Sequence, residues 1–254
     1  MTHALFLLSI LWILPSATSG KSVVRELMEE WAEIDRRLYE NEERQKHVFE
    51  EHKATAQSLR EAYNKTSDPQ SKMELKRQAH ENAANGYREL ARLKAEEAEL
   101  LRKKAKQARE KWLNGVKGRY GSAYEKALRK IIREFEDEDN RKREILKHIK
   151  PEFVVQITKA TENSVVSRIK NWLGKNRGGS RDGWEKHLLE MYQRGMVKSM
   201  IAYAWACYYE RLAEQHEDEA VLTTVAILEE GMGKEEEEEL PPDGTEGEDP
   251  FYPF

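Results

Sequence analysis

Cysteine is almost missing from this 254-residue chain: Cys207 stands alone, so no intrachain disulfide can form. The same scarcity removes every cysteine-based zinc pattern. Proline interrupts the body only at Pro69 and Pro151, with the others confined to Pro15 and to the C-terminal region. No segment reads as a strand. Long apolar runs are also missing, apart from Ala4–Leu14, which is too short for the roughly 20 residues of a membrane span. No Gly-x-Ser-x-Gly elbow occurs, and neither Gly174-Lys175 nor Gly233-Lys234 sits in a phosphate loop. The residues three before each histidine of the body are Arg44, Phe49, Arg77, Ile145, Trp184 and Ala213, so the Glu-x-x-His pattern of a four-helix metal site is not present. These exclusions point away from catalysis, cofactors and small-molecule substrates: the chain reads as a non-enzyme.

What is present is charge. Charged residues make up 35% of the chain and the mean hydropathy is −0.87, the composition of long helices with narrow apolar stripes. The net charge of −4 conceals an asymmetry. From Glu229 onward there are eleven acidic residues and one lysine; before it there are 42 basic and 36 acidic. The expectation is a mildly basic body with an acidic tail.

Residues 1–20 contain no Lys, Arg, Asp or Glu. The apolar run from Ala4 to Leu14, then Pro15, then Ser16-Ala17-Thr18-Ser19-Gly20, follows the order of a signal peptide with a small-residue cleavage site. Its departure is Met1-Thr2-His3, which carries no basic side chain. The reading is entry into the secretory pathway, with a cleaved signal as the first expectation and an uncleaved anchor as the alternative.

The body reads as all-α: an elongated helical bundle with a long antiparallel, coiled-coil-like hairpin over 21–113, shorter helices completing the bundle over 114–228, and a disordered acidic tail over 229–254. A first helix is predicted from about Val23 to Tyr63. Its seam is Val24, Leu27, Trp31, Ile34, Leu38, Asn41, Gln45, Val48, His52, Thr55, Leu59 and Ala62, with the three-four spacing of a helix pair. Polar residues in the middle of that seam are of the kind that fix register. Asp68 and Pro69 read as N-cap and first residue of a second helix reaching about Trp112. Gly115, Gly118 and Gly121 predict a turn, and Ser122 with Glu125 a capping box for a third helix ending near Ile149. A fourth is predicted over 152–173, followed by a glycine-rich loop. A fifth runs from Trp184 to Gln215 along Trp184, Leu188, Met191, Gly195, Lys198, Ala202, Trp205, Tyr209 and Leu212. Between Met196 and Tyr209 it is apolar on every face, which implies burial all round. Glu217 to Leu228 is predicted as a last short helix.

Several surfaces are candidates for function. Asn64-Lys65-Thr66 is a glycosylation sequon in a predicted turn, which makes the chain a candidate glycoprotein. Arg168, Lys170, Lys175, Arg177 and Arg181 gather around the glycine-rich loop, either as an anion surface for lipid headgroups or sulfated glycans or as a solvated basic loop. No aromatic platform or motif accompanies them, so nucleic acid is not an expected partner. Cys207 is either a buried small hydrophobe or an intermolecular disulfide in a homodimer. Asp249-Pro250-Phe251 resembles the short peptide bound by clathrin-adaptor appendages, which a secreted chain would not meet. The leading expectation is a secreted or surface-associated structural protein acting through protein–protein contacts, with a homo-oligomer as one form. The alternative is a membrane-surface module whose helical dimer presents basic residues to anionic lipid.

Overall fold

The computed structural model describes residues 18–149, 183–231 and 249–252. Among them the regular structure is entirely helical: α1 (Thr18–Lys65), α2 (Pro69–Tyr120), α3 (Ser122–Leu146) and α4 (Gly183–Gly231). The chain divides into two units, Met1–Glu40 and Asn41–Phe254. No helix among the described residues is long and apolar enough to cross a membrane. Most of the expected signal peptide, the fourth expected helix and most of the acidic tail lie outside the described residues.

In the first unit α1 buries Leu27, Trp31 and Ile34, which follow the four-three spacing of the predicted seam. Its exposed faces carry local ion pairs such as Arg25 with Glu29 and Arg36 with Glu33. Pairs this exposed to solvent add little to a helix.

In the second unit the rest of α1 runs antiparallel to α2. Asn41 donates to the Leu93 carbonyl and His52 meets Asn82, and both pairs are centred on residue 67, in the turn. That turn forms because Asp68 caps α2, accepting from the Ser71 amide at 2.8 Å, with Pro69 opening the helix. The predicted seam holds through Asn41, Val48 and the half-buried His52, then shifts: Thr55 is exposed and returns its hydroxyl to the Glu51 carbonyl, while Ala56 is buried in its place.

α2 packs against α4 along most of its length, and α3 lies against both. The α2–α4 approach is close because small residues line it. A methyl on Gly195 would come within 2.8 Å of the Ala105 Cβ, and the Ser199 hydroxyl donates to the Ala98 carbonyl at 2.8 Å. Between α2 and α3, Arg129 pairs with Glu110 at 2.9 Å and Arg109 with Glu136. Arg143 reaches from α3 to the Ser199 hydroxyl on α4 at 3.1 Å.

Four sequence expectations need correction. α2 continues through Gly115 and Gly118 to Tyr120, because glycine weakens a helix without breaking it and only Gly121 takes a positive φ, 88°. The capping box does not form: Gly121 is the N-cap of α3 without a side-chain hydrogen bond, and Glu125 pairs with Arg129 instead. α3 ends at Leu146, short of Ile149. The fifth and last predicted helices are one, α4, whose buried register takes Ser199 and leaves Lys198 exposed. An all-round apolar stretch cannot reveal its own register. Burial is not all round: Met196, Ser199, Met200, Ala202, Ala204 and Ala206 are buried, Lys198 is exposed, and the rest of the stretch to Tyr209 is half-buried.

Candidate functional site

The disordered-tail expectation is also corrected at its two ends. Glu229–Gly231 belong to α4, and Asp249–Tyr252 sit in a socket made by α1, α2 and α4. The socket's floor follows from helical spacing. His80, Ala83 and Tyr87 lie on one face of α2, and Ala213 and His216 on one face of α4. Phe49 and His52 approach from α1. The small Ala83 and Ala213 stand in one buried cluster with Val48, Tyr87, Leu90 and Leu93, around the recess.

Phe251 fills that recess completely, with no accessible surface. Its ring centroid lies 4.7 Å from Tyr87, 5.4 Å from Phe49 and 5.7 Å from His52, distances at which tilted aromatic pairs attract. Gly86 makes the room. A Cβ there would stand 3.0 Å from the Phe251 ring and 2.9 Å from His52 Cγ. Tyr252 stacks on His80 with 4.0 Å between centroids.

The polar half of the site is organised by Asp249. One carboxylate oxygen accepts from the Tyr87 hydroxyl at 2.6 Å and from the backbone amides of Phe251 and Tyr252 at 2.8 and 3.1 Å. The other lies 2.8 Å from His216 Nε2. His216 Nδ1 is in turn 3.0 Å from His80 Nδ1, so one ring must donate and the other accept. Asn82 donates to the carbonyls of His52 and Phe251 and accepts from His52 Nδ1 if that nitrogen is protonated.

Electrostatics follow from this packing. Burial pushes the His80 imidazole down to about 4, and His216 and Lys76 add to the effect. Burial opposes the Asp249 charge, but the hydrogen bonds from His216, Tyr87 and the Phe251 amide outweigh it, leaving that carboxyl below its ordinary value. Burial and the Asp249 carboxylate both raise the Tyr87 phenol. Both ring nitrogens of His216 and both oxygens of Asp249 are thus engaged inside the cluster. The arrangement is suited to holding a peptide. Among the described residues no group of three His, Cys, Asp or Glu is placed to bind a metal.

No family model, curated protein or solved structure matches the chain. Its site is therefore read from its own geometry.

The residues singled out from the sequence fall elsewhere. Asn64 is exposed in the last turn of α1, one residue before the helix ends, so the sequon straddles helix and turn. Arg168, Lys170, Lys175, Arg177 and Arg181 lie outside the described residues. Cys207 is half-buried on α4, on the wall of an open groove of about 610 Å³ with Arg88, Arg92 and Glu210. Sequence reasoning noticed Asp249-Pro250-Phe251 as a peptide and His52 as a polar seam residue, but not that they meet. His80, His216, Tyr87, Asn82 and Gly86 carried no local signal, because their juxtaposition is purely tertiary.

Proposed function

We propose that the chain is a secreted or surface-associated helical interaction protein that works through protein–protein contacts. One observation carries this reading. Near its end α4 leaves Val221, Leu222, Val225 and Leu228 exposed, at 62%, 62%, 45% and 60% of their surface. Their spacing places them on one helical face, and steps of four and three are those of a helix seam that pairs with another helix. Isolated apolar residues on a surface mean little; a contiguous stripe marks a contact. A second copy of the chain is the first partner to test.

Light scattering across a concentration series gives the oligomeric state of the full chain. The expected result is a dimer that dissociates when Val221, Leu222, Val225 and Leu228 are all replaced by Ser. A monomer at every concentration, identical for the variant, defeats the homotypic form of the reading. Sedimentation with anionic vesicles but not with neutral ones would favour the membrane-surface alternative. N-terminal sequencing of protein from its native source checks the route, with cleavage next to Gly20 and a glycosidase-sensitive Asn64 expected.

A further inference from the structure

We propose that the socket between α1, α2 and α4 is a peptide-recognition site for a carboxylate two residues before a Phe-Tyr pair, filled here by the chain's own Asp249–Tyr252 and open to the same segment of a second copy. This goes beyond the exposed face of α4, which is a different surface, and holds whether or not that face pairs.

The contacts resemble those of a ligand more than those of a core. Recognition is confined to four consecutive residues: a carboxylate held by Tyr87 and His216, one ring in a fully enclosed recess, one ring stacked on His80. Beside the apolar Val48, Ala83, Leu90, Leu93 and Ala213, the socket presents polar groups that meet the segment: Tyr87 and His216 hold its carboxylate, and Asn82 donates to the Phe251 carbonyl. The helices α2 and α4 also meet away from the socket, where Gly195 faces Ala105 and the Ser199 hydroxyl donates to the Ala98 carbonyl. The segment also arrives partly organised. Asp249 accepts from the amides two and three residues on, and Pro250 fixes its own φ, so less conformational freedom is lost on docking.

Seventeen residues, 232–248, separate α4 from the segment. Fully extended, such a stretch reaches about 60 Å at roughly 3.5 Å per residue. Tethering gives the chain's own segment an effective concentration of order millimolar, so a second copy competes only weakly unless the tethered segment is disabled. Exchange of an identical element between copies needs no new interface chemistry.

The test uses the full chain and a fluorescent peptide of residues 246–254, which stands in for the second copy's segment. In the Phe251→Ala chain the tethered segment loses its buried ring while the socket stays intact. That chain is expected to bind the peptide at least ten-fold more tightly than the unaltered chain does. The double variant Gly86→Ala with Phe251→Ala, whose new methyl occupies the recess, is expected to bind at least ten-fold more weakly than Phe251→Ala alone. A peptide carrying Asp249→Ala should likewise lose binding. Equal binding by the unaltered and Phe251→Ala chains, persistence in the double variant, or no binding by a helical Phe251→Ala chain overturns the proposal. So does loss of helical circular dichroism in Phe251→Ala, because the segment would then be part of the core.

Discussion

His216 on α4 and Asp249 near the C-terminus meet at 2.8 Å across 33 residues of chain, and the same carboxylate accepts from the Tyr87 hydroxyl on α2, 162 residues before it. Behind it His216 faces His80, so the histidine pair and the carboxylate form one buried line.

That line makes the fold acid-sensitive. The folded chain holds the His80 imidazole near 4, whereas an unfolded chain takes up the proton from about the ordinary value of 6.5. Between those values the unfolded state binds more protons, so stability falls as the pH drops, by at most about 1.4 kcal/mol per pH unit. Asp249, with its lowered value, adds stability that is present above 3.8 and is lost as the pH falls further. Thermal melts from pH 7.5 to 4 should show a descending midpoint, flattened in His80→Gln. A midpoint that rises on acidification would contradict the buried neutral imidazole.

Gly195→Ala should destabilise even though alanine is the better helix former by about 1 kcal/mol. The added methyl meets the Ala105 Cβ at 2.8 Å and the Leu101 carbonyl at 3.3 Å, and neither atom can swing aside. A cost of about 1–3 kcal/mol is expected from overpacking. Urea unfolding measures it, and adding Ala105→Gly should recover part of the loss. Additive effects of the two changes would mean that they do not touch.

Asn41 is fully buried, donates to the Leu93 carbonyl and accepts from Gln45 at 2.5 Å. Removing it by Asn41→Ala should cost about 1–2 kcal/mol, since the Leu93 carbonyl loses its side-chain donor and a gap opens, while Gln45 keeps Glu97 as an acceptor. Asn41→Leu should cost less, because an apolar side chain of similar size refills the seam. If both variants unfold at the urea midpoint of the native chain, Asn41 contributes nothing to the pairing.

Cys207 should react sluggishly. Burial raises its thiol, only partly offset by the Tyr203 hydroxyl and by Lys147 and Arg211 nearby, so the thiolate fraction at neutral pH is small. Iodoacetamide at pH 8 should alkylate it several-fold more slowly than a free thiol, and at the free rate in urea. A native rate matching the unfolded one would show an accessible thiol and favour the disulfide-linked dimer, which a non-reducing gel of Cys207→Ser against the native chain then tests.

Much of this fold was legible beforehand because it is written in local patterns. The seam from Leu27 to Val48 follows from three-four spacing, and the start of α2 from Asp68 and Pro69, each a rule about neighbours in sequence. Helix ends were less legible. Gly115 and Gly118 looked like a turn, yet a glycine costs a helix only about 1 kcal/mol and the flanking pattern carried α2 on to Tyr120. In α4 the apolar residues on every face hid the register, which is set by where small residues let α2 come close.

The sequence by itself determined that the chain is helical, where α1 and α2 turn, and that one thiol must do without an internal partner. Those properties depend on spacing, capping and composition. Tertiary structure alone decided the socket. His52, Gly86, His216 and Phe251 are far apart along the chain, and nothing local distinguishes a glycine that makes room for a ring from one that merely tolerates a helix. Only when α1, α2 and α4 pack does the missing side chain at Gly86 become a recess, and only then does Asp249-Pro250-Phe251-Tyr252 have somewhere to bind.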